Sequence, residues 1–361
     1  MKVMHFEFGR TLVGGPQQVI YIVNGLSRRG VDCVVAAESD TPLARNFADA
    51  GIRLRHVSCR GDWDLWLARR IRDLILEEAP DIVHLHSRRG AILGSVAARW
   101  AGVPSVLSRR VDNMPKGKLS PWAYGALNER VICISEAIRD VLLKAGVRED
   151  RLVTIRSAVD TGPWGEPAPR EEFLREFGLP PDALTIGVVA QLILRKGHRF
   201  LFEALQGDIP DRLRVIVFGE GKDRAEVEAA LARSGLGHIV QMAGHRYDMP
   251  RWMGNLDLVV HPATLEGLGV ALLQASSAGV PIVASAAGGI GEAVRDGVNG
   301  VLVPPEDVTA LRAAILSLLA DEPRRRALGR CGPVLMAGEF STDAMVEQHL
   351  ALYESVLAAA S

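Results

Sequence analysis

The sequence predicts an α/β protein made of two doubly wound parallel-sheet domains. Three observations predict it. Short β-branched runs alternate with longer helical segments along most of the chain. The stretch holding Gly162, Pro163, Gly165, Pro167 and Pro169 breaks that alternation near the middle. The length, 361 residues, then fits about two domains.

In chain order, the strand-like runs of the first half are 3–8, 31–36, 82–86, 103–107 and 131–134. Residues 16–28 and 65–77 are among the helical segments between them. Repeated β-then-α order implies parallel strands joined by right-handed crossovers. Residues 161–169 read as a linker and hinge. The second series has strand candidates at 184–190, 214–218, 239–242, 256–261, 282–285 and 300–303. Helices follow at about 309–319, 323–336 and 343–359. The expected domains are 1–162 and 163–340. Ligands of such sheets bind at the carboxyl ends of the strands, so two facing halves would place the main site in a central cleft.

Composition excludes several classes. A 48% hydrophobic and 24% charged chain is globular in balance. Aromatics at 5% argue against a stacking platform for single-stranded nucleic acid. With 42 Lys and Arg against 43 Asp and Glu, no dedicated nucleic-acid binder is expected. Cys33, Cys59, Cys133 and Cys331 lie far apart without a CxxC pair, which is neither a zinc framework nor a disulfide scaffold. A reduced, cytoplasmic interior is the expected setting. No run approaches the roughly 18 apolar residues of a membrane span. Peripheral contact with the inner face of a membrane stays open.

Several motifs carry chemistry. Gly9, Gly14 and Gly15 resemble a P-loop in spacing, but Gly15 and Pro16 stand where Lys and Ser/Thr are required. What remains is a glycine pair at a helix start, suited to a phosphate or to an ordinary tight turn. His84 and His86 share one strand face, and no third metal ligand stands out nearby. His86, nearer the strand end, is the better candidate to face a ligand. Asp62-Trp63-Asp64 is a DxD triplet that reads better with Asp64 as a helix N-cap. Arg195-Lys196-Gly197, just beyond a strand, could neutralise a diphosphate. Gly219-Glu220-Gly221 lacks the third glycine of a dinucleotide fingerprint.

The most informative stretch is 266–274. Gly267, Leu268 and Gly269 open an apolar helix whose free N–H groups favour an anion. Glu266 stands just outside that terminus and could cap it or accept from sugar hydroxyls. Gln274 lies two turns along and could share a face with the helix start.

These residues, with Asp81 to His86, Ile134-Ser135-Glu136, Val159-Asp160, Lys196-Gly197, Gly288-Gly289 and Glu292, resemble the retaining GT-B glycosyltransferases of family 4, the group 1 glycosyl transferases. The resemblance covers nearly the whole chain in order. It implies a GT-B fold, with the first domain on the acceptor side and the second holding a nucleoside-diphosphate sugar. It also implies that 341–361 forms a helix returning to the first domain.

By the same resemblance, Gly14 and Gly15 would approach the donor diphosphate or reacting centre, and His86 would line the site near the transferred sugar. Lys196 and Arg195 would neutralise the diphosphate. Glu266 would hold sugar hydroxyls, and Gly267, Leu268 and Gly269 would offer backbone N–H groups to phosphate. His86, Glu266 and Lys196 are thus the expected catalytic residues. Gln274 stands where the family often has a second glutamate on the ribose, and its amide can still donate and accept. Ala190-Gln191 stands where Gly-Arg is usual, and Arg156-Ser157-Ala158 replaces Pro-Asn-Gly.

No metal or other cofactor is expected. The implied reaction moves a sugar to a hydroxyl on a saccharide or lipid-linked acceptor, with bacterial surface polysaccharide or lipopolysaccharide as the destination. The alternatives are a nucleotide-sugar 2-epimerase of the same fold and an inactive nucleotide-binding homologue. Arg69, Arg70, Arg72, Arg88, Arg89, Arg109, Arg110, Lys116 and Lys118 make the first half locally basic, suited to anionic head groups or simply to solvent.

Overall fold

Residues 1–10, 14–60, 64–87, 89–115 and 120–360 are described by the computed structural model. The chain divides into two units, one of 1–158 with 342–361 and one of 159–341. In the first unit the strands are β1 (Lys2–Glu7), β2 (Asp32–Ala37), β3 (Leu54–His56), β4 (Ile82–Leu85), β5 (Ser105–Arg109), β6 (Arg130–Cys133) and β7 (Leu152–Thr154). They pair in parallel in the order β3-β2-β1-β4-β5-β6-β7.

Because helices cover both faces, consecutive strand residues are buried on opposite sides. Val3, Val35, Ile82 and Val106 pack with Val19, Ile22 and Leu26 of the helix Gly14–Arg28 and with Met345, Val346 and Tyr353 of the last helix, Thr342–Ala360. Met4, Val34, Val83 and Leu107 pack on the other side with Leu67, Ile71 and Ile75 of the helix Leu65–Glu78 and Ala97 and Ala98 of Ala91–Ala101. Gly25 lets the last helix approach the first one: a Cβ there would lie 2.4 Å from Val346 Cγ2.

The second unit contains β8 (Leu184–Val189), β9 (Leu213–Phe218), β10 (Val240–Gly244), β11 (Leu258–His261), β12 (Ile282–Ser285) and β13 (Gly300–Val303). These also run parallel, in the order β10-β9-β8-β11-β12-β13. Ile186, Val188, Val215, Val217 and Val260 pack with Leu201 of His198–Ala204 and with Leu311, Ile315 and Leu318 of Val308–Ala320.

Each strand order reverses once, between β1 and β4 and between β8 and β11. In doubly wound sheets the ligand crevice lies at the carboxyl ends of such a strand pair. His86 follows β4, Lys196 follows β8, and Glu266 follows β11.

The structure differs from expectation in three places. The edge strands β3 and β7 have three residues each, too short to show a period. Asp64 occupies the N-cap position of Leu65–Glu78 but does not cap with its side chain. Its carboxylate instead accepts from Arg60 N at 3.3 Å and from Arg70. The segment expected as a linker is fastened to the second unit. Trp164 is buried there, and Ala168 bonds Arg251 O through its N–H and Asn255 Nδ2 through its carbonyl, both at 2.8 Å.

Among the described residues the cysteines form no disulfide, and burial pushes the Cys33 and Cys133 thiols up to about 11 and about 12. Among the described residues, no helix is long and apolar enough to cross a membrane.

Candidate active site

In the second unit, two loops at the β8/β11 switch point are stapled together. Lys196 ends a 3-10 turn, Leu194–Lys196, and Gly197 follows at φ +71°. A Cβ on Gly197 would lie 1.8 Å from Pro262 O, so only glycine lets the loops approach this closely. Thr264 N donates to Arg195 O at 2.9 Å, and Arg195 Nη1 donates to Leu265 O at 3.0 Å. Arg195 is thereby built into the loop junction.

This junction brings Lys196 Nζ onto Glu266 Oε2, 70 residues away in sequence. His261 Nε2 lies 3.1 Å from the same oxygen. Burial works against the Glu266 carboxylate, but the His261 hydrogen bond and the Lys196 charge outweigh it and hold its pKa well below the usual range. Glu266 is therefore ionised, and an ionised carboxylate only accepts, so His261 carries its proton on Nε2. Burial lowers the His261 pKa, which keeps the ring neutral. His198, beside this group, is pushed down to about 4, chiefly by burial, with the Lys196 charge acting in the same direction. Among the described residues, neither of its ring nitrogens has a partner.

Glu266 thus does not cap the following helix with its side chain. Gly269 is the N-cap of Val270–Ser277, at φ +90°. The Leu268 side chain is in the core, so its backbone N–H is what it can offer a ligand. Among the described residues, the N–H groups of Gly267, Leu268 and Gly269 make no internal hydrogen bond. Gln274 is half-buried, on the side of the helix away from the buried Leu272, Leu273 and Ala275. Gly219 and Gly221 pack against the backbone of Ala190 and Leu192, where Cβ atoms would lie 1.9 and 2.3 Å from carbonyl oxygens. Their role is close packing of loops.

The first unit gathers imidazoles at the β1/β4 switch point. His5 pairs with His84 in the parallel register. Arg110 Nη2 lies 3.4 Å from His86 Nδ1, and His86 Nε2 lies 2.9 Å from His5 Nδ1. Arginine only donates, so His86 passes its Nε2 proton toward His5. His84 is bonded at Nδ1 to Tyr353 Oη, 2.5 Å, and at Nε2 to Ser108 Oγ, 2.8 Å. Burial holds all of these rings neutral: His5 falls to about 3 and His349 to about 4, with His84 and His86 well below their usual value. Burial also lowers Arg110 to about 10. Gly15 stands over Arg110, whose Cδ would be 3.3 Å from a Cβ. Gly14 opens the helix at the same end.

His86 is 2% exposed, and both of its ring nitrogens are engaged, with His5 and with Arg110. The third imidazole not expected nearby is His5, and ligand atoms of His5, His84 and His86 lie within 4.8 Å of one another. That trio is a poor cation site all the same. Both nitrogens of His84 are in hydrogen bonds, and the Arg110 charge adjoins His86.

The described basic residues do not form one face. Arg109 is buried against Tyr124 and Arg110 is half-buried against His86, whereas Arg69 is exposed and Arg72 stacks over Trp100. Arg70 pairs with Asp64 and Arg89 with Glu38. Asp62, Trp63, Arg88, Lys116 and Lys118 lie outside the described residues.

Residues 169–333 match the family description "Glycosyl transferases group 1", and residues 13–162 match "Glycosyltransferase Family 4". The chain is 30% identical over 312 residues to the alpha-maltose-1-phosphate synthase of Mycolicibacterium smegmatis, covering 78% of this chain and 80% of that protein. It is 25% identical over 369 residues to the lipopolysaccharide core biosynthesis glycosyltransferase LpsE of Rhizobium meliloti, covering 98% and 99%. The fold is similar to that of Anabaena Alr3699/HepE in complex with UDP and glucose, at a TM-score of 0.88 and 21% identity, covering 98% and 100%. The chain therefore belongs to the family 4, group 1 glycosyltransferases and has two Rossmann-like domains of the GT-B fold.

Proposed function

We propose that this glycosyltransferase moves a sugar from a nucleoside-diphosphate sugar to an acceptor hydroxyl, with retained anomeric configuration and without a metal. The observation that carries the reading is the Lys196–Glu266–His261 group beside the open helix start at 267–269. A nucleotide sugar supplies partners for Lys196, Glu266 and the helix start. Its diphosphate suits Lys196, Arg195 and the N–H groups of Gly267, Leu268 and Gly269. Its sugar hydroxyls suit Glu266, and its ribose suits Gln274. The second unit is then the donor domain, and the first takes a saccharide or lipid-linked acceptor, with Gly14 and Gly15 toward the phosphate. For His86 to touch the sugar, its bond to Arg110 or to His5 must first open.

As the glycosidic bond breaks, charge builds on the leaving diphosphate, where preorganised donors act most strongly. The acceptor oxygen forms its bond to the anomeric carbon on the face the diphosphate leaves. The leaving phosphate oxygen takes the acceptor proton. The similarity to LpsE supports bacterial lipopolysaccharide or another surface polysaccharide as the destination, at the cytoplasmic face of a membrane.

The test is turnover of UDP-, GDP- and ADP-sugars in EDTA with a saccharide acceptor panel, the product anomer being read by NMR coupling. Retained configuration with metal-free turnover is expected. A changed donor sugar without acceptor would replace the reading with an epimerase, and an inverted product would overturn the stereochemistry.

A further inference from the structure

We infer that His261 is a positioning residue for the transfer: it clamps one oxygen of Glu266 so that the other is presented to the transferred sugar. The inference rests on the donor site proposed above. His261 ends β11, five residues before Glu266, and is 2% exposed. Its Nε2 and Lys196 Nζ both meet Oε2, while Oε1 makes no hydrogen bond among the described residues. The two contacts fix the carboxylate in rotation and leave its second oxygen outside the clamp. They also differ in kind. Lys196 is a cation that a diphosphate can draw away, whereas His261 is a neutral donor with no such competitor. Once Lys196 turns to phosphate, His261 alone holds Glu266. The groups facing His261 are Lys196, Arg195, His198 and Glu266. Among the described residues Nδ1 of His261 is buried without a partner, so the ring's one hydrogen bond there is spent on Glu266.

The experiment compares H261L, H261Q, E266Q and the H261L/E266Q pair. A hydrogen bond to a charged group translates into about a 10- to 100-fold loss of kcat/KM for the sugar donor in H261L. UDP affinity, measured by calorimetry, is expected to stay within about twofold, since UDP has no transferred sugar. Glutamine keeps an N–H donor, so H261Q is expected to recover part of the loss. In the E266Q background, H261L is expected to add nothing.

Additive losses, or a parallel fall in UDP affinity, would overturn the inference. Imidazole 15N spectra of the wild-type chain provide a readout without turnover. A neutral ring protonated at Nε2, perturbed by E266Q, is expected, and an Nδ1-protonated ring would overturn the inference by itself. A wild-type chain that turns over no nucleotide sugar would instead refute the proposed donor site, and the spectra would separate the two failures.

Discussion

Removing one member of the Lys196–Glu266 pair strands the other. The two side chains are 10% and 13% exposed, so K196M leaves a nearly buried carboxylate and E266Q a nearly buried ammonium. Breaking a buried pair from one side costs about 3–5 kcal/mol. For K196M the cost is nearer 2–3 kcal/mol, by order of magnitude, because His261 still donates to Glu266 Oε2. E266Q belongs at about 3 kcal/mol, because its amide oxygen carries no charge to balance Lys196. At about 2–4 °C per kcal/mol for a unit of this size, both variants should lower Tm by roughly 4–12 °C.

The double variant K196M/E266Q strands neither charge and should fall within about 1 kcal/mol of wild type. Urea unfolding of the four proteins at pH 7, followed by the buried Trp252 and Trp164 of the second unit, measures the cycle. Additive losses in the double variant, or single variants as stable as wild type, would refute the reasoning that these are two mutually compensating buried charges.

Acid should weaken the first unit through its buried imidazoles. His5 at about 3 and His349 at about 4 lie below the unfolded value of about 6.5. The unfolded chain therefore binds more protons, and stability falls as pH drops below about 6.5, by about 1.4 kcal/mol per pH unit for each such ring. Urea midpoints that stay flat from pH 7 to 4.5 would contradict this. Glu266 has the opposite shift, so its contribution is full above about pH 4.3 and lost only below it; the stability gap between wild type and E266Q should narrow below pH 4. G197A must hold alanine at φ +71° and place Cβ 1.8 Å from Pro262 O, so a loss above about 3 kcal/mol is expected; a loss under 1 kcal/mol in chemical denaturation would disprove the close approach. Y353F removes the hydroxyl bonded to His84 Nδ1 and should cost about 1–3 kcal/mol by the same assay.

Much of the fold is legible because strands covered on both faces are written as apolar runs rich in β-branched residues, as in Val215, Ile216 and Val217 of β9. The edge strands Leu54–His56 and Leu152–Thr154 are not legible, because three residues carry no period. The linker composition of 161–169 is real, but Trp164 and the Ala168 bonds tie that segment down, which no local pattern records.

The site is legible where a motif holds it together, as at 266–269. It is hidden where tertiary structure assembles it. His5 looks like an ordinary core position of β1 until the sheet register sets it beside His84. Lys196 and Glu266 reveal their pairing only once Gly197 lets two loops touch. His261 does carry a sequence signal, a histidine at the carboxyl end of a strand, and it is the same signal that draws attention to His86.

The central claim is that the Lys196–Glu266–His261 group in the second unit holds a nucleoside-diphosphate sugar. Isothermal calorimetry of wild type, K196M and E266Q with UDP, GDP and ADP and their glucose or mannose conjugates, in EDTA, tests it most directly. The account predicts that one base is preferred, that K196M weakens the diphosphate and the sugar nucleotide alike, and that E266Q weakens only the sugar nucleotide. Equal affinities in all three proteins, or no heat with any diphosphate, would contradict it.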